Sequence, residues 1–279
     1  MKFIVIGGLN LDVTGVSDTA LVSHDSNIGK VSFSAGGVAA NIARALKQEG
    51  HEAELITVLS DDFAGRMLET AIADERIGLS LSVRANCRCS SYMSIHGPDG
   101  DMELAVNDMD ALKLLTGERI LERADVINAS AACVIDANLS SETLKAIAET
   151  AKVPLIADCV SAAKCRRLLP IAGSLDAIKP NMLEAEALTG ETSPEAAARK
   201  LMQLGIKRVF ISLGPRGVYA ADEHAAGYIQ PSRIFNCQTT GAGDALCAGI
   251  AEYTAKNLNA LECAENAVKC SERLLESRS

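Results

Sequence analysis

The residues Thr239-Thr240-Gly241-Ala242-Gly243-Asp244-Ala245 run directly into the apolar stretch Leu246–Tyr253. Residues with little or no side chain let main-chain N–H groups approach a ligand closely. At a helix N-terminus such groups form an anion site suited to a phosphoryl group. A carboxylate beside a phosphoryl group bound there is electrostatically unfavourable unless it has work to do. The work that fits is to accept a proton from an alcohol attacking phosphorus, while the amides take up charge on the transferred oxygens. Gly241, Ala242, Gly243 and Asp244 are therefore candidate catalytic residues. The plain alternative is a strand-to-helix turn in which Asp244 is a first-turn helix charge.

Four other segments set polar residues where a small ligand can reach them. Ala35-Gly36-Gly37-Val38-Ala39-Ala40-Asn41 places paired glycines before a helical pattern, so that a ligand can lie against the helix N-terminus. Asn41, one turn on, offers both a donor and an acceptor to a sugar hydroxyl; a Gly-rich turn with a solvent-facing Asn accounts for the same residues. Asn10 and Asp12 follow the first apolar run, at the carboxyl end of a strand, where open α/β sheets bind ligands. Asn181 and Glu184 in Lys179-Pro180-Asn181-Met182-Leu183-Glu184 share a helix face, and oxygen ligands with water between suit Mg2+. Helix capping explains that pair as well. Ser212-Leu213-Gly214-Pro215-Arg216-Gly217 leaves a strand with two glycines, either beside a nucleotide or as a simple β-turn. The turn from Gly7 to Asp12 lacks the spaced glycines of a dinucleotide fingerprint, and no GxxxxGK[ST] occurs, so nicotinamide and Walker-type sites are disfavoured.

The elements that position these residues follow from short apolar runs alternating with amphipathic stretches. Strands are expected at Lys2–Gly7, Ala53–Val58, Val126–Ala129, Leu155–Asp158, Ala177–Lys179, Val209–Leu213 and Val218–Ala221. Helices are expected at Val38–Gln48, Phe63–Arg76, Glu142–Ala151, Pro194–Leu204, Ala242–Lys256 and Ala260–Leu275. Ser193 suits an N-cap with Pro194 at the first helical position. This alternation implies an α/β fold with a mostly parallel sheet and helices on both faces. Lys30–Ser34, Ser90–His96 and Met102–Val106 instead alternate as half-buried strands, with a turn signal at Pro98-Asp99-Gly100-Asp101. They read as a small antiparallel sheet standing off the core, a lid drawn from about residues 13–35 and 89–109 of a single domain spanning 1–279. Its apolar face needs a ligand or a second subunit to cover it.

The chain has 279 residues, with 27 Lys plus Arg against 36 Asp plus Glu and a net charge of −9. Without a basic run, a nucleic-acid partner is not expected. No apolar run approaches a membrane span, so no membrane partner is expected either. The nine cysteines are scattered through apolar patterns and odd in number, which points to free thiols in a reducing cytosol and a cytoplasmic location.

In this order, these segments resemble the ribokinase (PfkB) family of carbohydrate and nucleoside kinases over essentially the whole chain. Gly36-Gly37 with Asn41 is similar to the family's first signature, and Thr240-Gly241-Ala242-Gly243-Asp244 to its second. The resemblance implies a Rossmann-like core with a β-lid, an anion hole from Gly241, Ala242 and Gly243, and Asp244 as catalytic base. It implies ATP and Mg2+ as cofactors, with Asn181 and Glu184 near the metal and Ser212, Gly214, Gly217, Thr240, Gly241, Gly243 and Asn266 around the nucleotide. Within the family, Ser23–Lys30, Ser90–Ser94, Ala105–Met109 and Asp158–Lys164 resemble the branch that phosphorylates the 5′-hydroxyl of pseudouridine. That likeness implies a substrate site from Asn10, Asp12, Asn27, Gly36, Gly37, Asn41, Ser91, Met93, Asn107 and Asp244. Kinases for ribose, another nucleoside or another sugar, and a non-catalytic nucleoside-binding protein, are the alternatives. Gln238 stands where the family commonly has Asp, a position that bears on activation by potassium (K+). A homodimer through the lid is the expected assembly.

Overall fold

Phe3-Ile4-Val5-Ile6 is buried on both sides, which requires a strand covered by helices above and below. The computed structural model describes residues 1–235 and 239–278. In chain order its first strands and helices are β1 (Lys2–Ile6), β2 (Asn10–Ser17), β3 (Gly29–Gly36), α1 (Val38–Gln48), β4 (Glu52–Ile56), β5 (Val58–Ser60) and α2 (Phe63–Asp74). There follow β6 (Val83–Ala85), β7 (Ser91–His96), β8 (Met102–Asp108), α3 (Gly117–Leu121), α4 (Ala124–Asn128), β9 (Ala132–Asp136), α5 (Ser141–Thr150), β10 (Leu155–Asp158) and β11 (Ala177–Lys179). The remainder is α6 (Met182–Thr189), α7 (Pro194–Gln203), β12 (Val209–Ser212), β13 (Val218–Ala221), β14 (Ala226–Ile229), α8 (Ala242–Ala255) and α9 (Ala260–Glu276).

The main sheet runs β14-β13-β12-β11-β10-β9-β1-β4. It is parallel from β4 to β12 and closes with antiparallel pairs at β12–β13 and β13–β14. One apolar layer packs α5, α6 and α7 on the sheet through Leu144, Ala185 and Leu201. The other packs α1, α8 and α9 through Ile42, Leu46, Ile250 and Ala264. Alanine and glycine permit that second layer to be thin: a Cβ added at Gly249 would lie 2.7 Å from the Ala267 Cα.

The expected strand at Val126–Ala129 is corrected: that segment is the short helix α4, and the central strand is β9, all five residues of which are buried. Ala132 and Cys133 are weak strand formers, so β9 owes its conformation to its place between β1 and β10. The Ala53–Val58 run divides into β4 and β5 around buried Thr57. The edge strand β14 carries too little apolar pattern to be read from sequence.

The small sheet has the order β3-β2-β7-β8. It is not wholly antiparallel as expected, since its central pair β2–β7 is parallel. Register and the two-residue period give it two distinct faces. Asp12, Thr14, Ser34, Tyr92 and Asn107 share one; Val13, Phe33, Met93 and Val106 share the other. On that second face Val31, Phe33, Leu104 and Val106 are 60–65 % exposed.

Candidate active site

The carboxyl ends of four adjacent strands deliver the Gly7-Gly8 turn after β1 and Asp136, Asp158 and Lys179 at the ends of β9, β10 and β11. Asp136 is wholly buried and accepts from the main-chain N–H groups of Gly8 (2.8 Å), Ala39 (3.1 Å) and Asn138 (2.9 Å). It thereby caps α1, whose N-cap Gly37 has no side chain, and fixes the turn in front of it. Burial pushes the Asp136 carboxyl up despite these donors. Lys179 pairs with Asp158 at 2.9 Å, both buried. Burial opposes the Lys179 charge, but Asp158, Cys247 and Asp244 outweigh it and raise its pKa. Asp136 and Lys179 were not expected among the site residues; the signal available was a charged residue closing an apolar run in each case.

The glycine pair serves close approach. A Cβ on Gly36 would stand 2.0 Å from the Asp12 carboxylate, and one on Gly37, whose φ is +104°, would stand 2.3 Å from the Gly8 carbonyl oxygen. Asn10 donates its side-chain amide to Asp12. Burial raises the Asp12 carboxyl, opposed by Asn10 and by the Arg44 charge.

Asn41, on the first turn of α1, meets Asp244 on the first turn of α8: Nδ2 donates to the carboxylate Oδ2 at 2.8 Å. Arg44 fixes the amide's orientation by donating from Nη1 to Asn41 Oδ1 at 2.6 Å, and Glu75 holds Arg44 at 2.7 and 2.9 Å. Asn41 was expected to face a sugar hydroxyl; its amide oxygen is instead engaged by Arg44. Burial and the neighbouring Asp158 raise the Asp244 pKa to about 7, with Lys179 and Asn41 working in the opposite direction. A carboxylate so placed is half-ionised near neutrality, as a general base should be.

Gly241 is the left-handed N-cap of α8, with φ +84°. The Ala242 N–H donates to the Thr239 carbonyl at 3.0 Å, so that amide is engaged in the turn. The expected three-residue anion hole is thus corrected: the first-turn donors still unpaired among the described residues are those of Gly241, Gly243 and Asp244. Thr240 is exposed, and its carbonyl accepts from the Arg278 guanidinium.

Beside this helix end lies a cleft of about 490 Å3 lined by Ser212, Gly214, Gly217, Ala242, Gly243 and residues of α9. Ser212, Gly214, Gly217 and Gly243, which the resemblance places around a nucleotide, are brought together on this cleft. Asn266 is not: its amide donates to the Glu262 carbonyl within α9, and Val268, Ser271 and Leu275 line the cleft instead. Asn181 and Glu184 form a reciprocal capping box at the start of α6, at 2.9 and 2.8 Å. Among the described residues, no group of three His, Cys, Asp or Glu side chains is placed to hold a metal ion. Burial raises the Glu184 carboxyl, with Asn181 and Lys179 opposing.

On the small sheet, Ser91 and Met93 lie on the face opposite Asp12, and the Ser91 hydroxyl donates to the Cys89 carbonyl at 3.1 Å. The expectation that they meet a ligand alongside Asp12 is corrected by that register; Tyr92 and Asn107 share the Asp12 face. The Asn27 amide is engaged within its own loop, with Val22 and Asp25. Gln238 lies outside the described residues.

Among the described residues every cysteine thiol is free, and burial raises Cys133 to about 12. No helix of the described residues is long and apolar enough to cross a membrane.

Comparison with known proteins bears on all of this. The family model for pfkB family carbohydrate kinases matches residues 1–279. The chain is 34% identical to the pseudouridine kinase of Escherichia coli K12, over 98% of this chain and 90% of that protein. It is 27% identical to an uncharacterized sugar kinase, YeiI, of the same organism, over 96% of this chain and 76% of that one. Among solved structures, a carbohydrate kinase from Agrobacterium tumefaciens superposes with a TM-score of 0.85 at 29% identity, covering 97% of this chain and 89% of that chain. The Arabidopsis thaliana ribokinase complexed with ribose and ATP superposes with a TM-score of 0.83 at 20% identity, covering 98% of this chain and 92% of that chain, so the fold is ribokinase-like. With both glycine signatures converging on Asp244 and the match running end to end, this chain belongs to the pfkB family of carbohydrate kinases.

Proposed function

We propose that the protein is an ATP-dependent kinase that phosphorylates the 5′-hydroxyl of pseudouridine, with Asp244 as base. The observation carrying the chemistry is the position of Asp244: oriented by Asn41, at a helix N-terminus with unpaired amides, with a pKa near neutrality. The relative named as a pseudouridine kinase supports the acceptor.

Asp12 accepts the ribose hydroxyls, and the second Nδ2 hydrogen of Asn41 adds a donor. Gly36 and Gly37 leave the room for both. The 5′-oxygen attacks the γ-phosphorus of ATP as its proton passes to the Asp244 carboxylate, and ADP leaves. The amides of Gly241, Gly243 and Asp244 take up charge on the equatorial oxygens. The Ser212–Gly217 cleft receives ATP, flanked by Val268, Ser271 and Leu275. Glu184 would hold a water of Mg2+, which when bound would supply charge neutralisation for the transferred phosphoryl group. The exposed apolar face of the small sheet supports a homodimer formed through it, and the buried free thiols support a cytosolic location.

The similarity to a sugar kinase gives a second reading, in which the same base acts on ribose or another sugar. A panel of pseudouridine, uridine, inosine, ribose and fructose in a coupled ADP-release assay separates them. Pseudouridine should give the highest kcat/KM; ribose outpacing it would reject the assignment.

A further inference from the structure

Asp136 is a buried titratable group that the proposed transfer does not use. It is wholly enclosed, and among the described residues no Lys, Arg or His side chain lies within ion-pair distance of it. A carboxylate in the interior is costly unless hydrogen bonds to its charged form compensate. Three main-chain N–H groups do so: Oδ2 accepts from Gly8 at 2.8 Å and Ala39 at 3.1 Å, and Oδ1 from Asn138 at 2.9 Å. Each of these contacts is a donor to Asp136, so the pocket suits the ionised form, and the N-terminal end of α1 adds to that.

The two donors that share Oδ2 belong to the two arms of the active site. Gly8 leads into β2, where Asn10 and Asp12 stand two and four residues on. Ala39 lies two residues before Asn41, whose Nδ2 orients Asp244. The Gly8 carbonyl accepts in turn from the Ala40 N–H at 3.3 Å. One carboxylate oxygen therefore ties the backbone that carries Asp12 to the backbone that aims the base. The joint has no slack. A Cβ on Gly7 would stand 2.4 Å from Asp136 Cγ, and one on Gly37 would stand 2.3 Å from the Gly8 carbonyl oxygen. The small sheet is rooted here too, since β2 leaves the core just after Gly8 and β3 returns to it just before α1.

Resting on the proposed kinase reading, we propose that Asp136 is a positioning residue for phosphoryl transfer, one that sets the spacing between Asp12 and Asp244 and so between the acceptor and its base. Being wholly buried, it offers no surface to the acceptor or to ATP. Misplacement by about 1 Å at such a joint can cost about a hundredfold in rate, so the effect falls on turnover. The charge of Asp136 has a second consequence. Burial is the largest cause of the raised Asp244 pKa; Asp158 on β10 and Asp136 on β9 add to it, while Lys179 on β11 and Asn41 on α1 oppose it. The charged groups that bear on Asp136 and are in turn affected by it are Asp158 and Lys164. Removing the Asp136 charge therefore lowers the Asp244 pKa, which loss of a purely structural cap does not do.

The test compares Asp136→Asn and Gly7→Ala with the wild type, using whichever acceptor of the panel turns over fastest, so that failure of the pseudouridine assignment leaves it intact. Asp136→Asn should lower kcat about tenfold or more, keep the KM for ATP within about twofold, and move the acid limb of kcat/KM to lower pH. Gly7→Ala, whose methyl displaces the carboxylate while keeping its charge, should lower kcat to a similar extent with no downward move of the limb. Should Asp136→Asn fail to fold, Gly7→Ala decides on kcat alone. A folded variant with a reduced Tm, a kcat within about twofold of the wild type and an unmoved limb would show that Asp136 is only a helix cap, and would overturn the proposal. A wild type inert toward every acceptor of the panel would overturn the kinase reading and this proposal with it.

Discussion

Asn41 and Asp244, 203 residues apart in sequence, meet at 2.8 Å where two helix N-termini converge. The contact runs in one direction only. Arg44 donates to Asn41 Oδ1, so Nδ2 must face Asp244, and Glu75 in turn holds Arg44. A chain of four side chains thus sets the orientation of one Asp244 carboxylate oxygen.

The ionisation of Asp244 should govern the acid side of the pH–rate profile. Its pKa is raised to about 7, and the base must be ionised to act. We therefore expect kcat/KM to rise with pH and level off above about pH 7, falling about tenfold per unit well below it. A flat profile between pH 5 and 8 would be inconsistent with this.

Both partners that favour the carboxylate can be removed in turn. Asn41→Leu and Lys179→Met each take away an influence that lowers the Asp244 pKa. Each should move the acid limb to higher pH, and Asn41→Leu should reduce kcat about tenfold or more through loss of orientation. A limb that moves to lower pH in either variant contradicts the electrostatic account.

Stability should carry the same signature with its own sign. The folded pKa of Asp244 lies above the ordinary value of 3.8, so its contribution is fully present below pH 3.8 and lost as pH rises through about 7. Asp244→Asn should raise Tm relative to the wild type at pH 8, with the difference shrinking toward zero near pH 4. Thermal unfolding of both proteins across that range checks it.

The two adjacent glycines should fail differently. At Gly36 an added methyl meets the movable Asp12 carboxylate, so Gly36→Ala should raise the acceptor KM severalfold or more while changing Tm little. At Gly37 it meets the Gly8 backbone in a left-handed conformation, so Gly37→Ala should destabilise by about 1–3 kcal/mol. Equal effects on KM and Tm at the two positions would refute this division.

Much of this was legible in the sequence because the signals were local. Helix α1 was expected at its observed bounds, Val38–Gln48, because its apolar period is clean and the glycine pair marks its start. The start of α7 was marked by Ser193 and Pro194. Strand β9 was misplaced because its strong strand formers, Val134 and Ile135, make only a two-residue run behind Ala132 and Cys133; neighbours on both sides fix the conformation. Tertiary placement was harder still. Nothing local shows that Asp136 caps a distant helix, that Lys179 pairs with Asp158, or that the register of β7 turns Met93 away from Asp12. Asn181 and Glu184 were legible as a pair, but capping is the contact they make.

The most direct measurement of the central claim pairs turnover with binding in Asp244→Asn. Pseudouridine-dependent ADP release and equilibrium binding of pseudouridine should be measured on the same preparation. Turnover should fall about 10²–10⁴-fold, the range for loss of a general base, while the Kd for pseudouridine changes by less than about tenfold. Retained turnover with lost binding would show that Asp244 holds the substrate and does not take its proton.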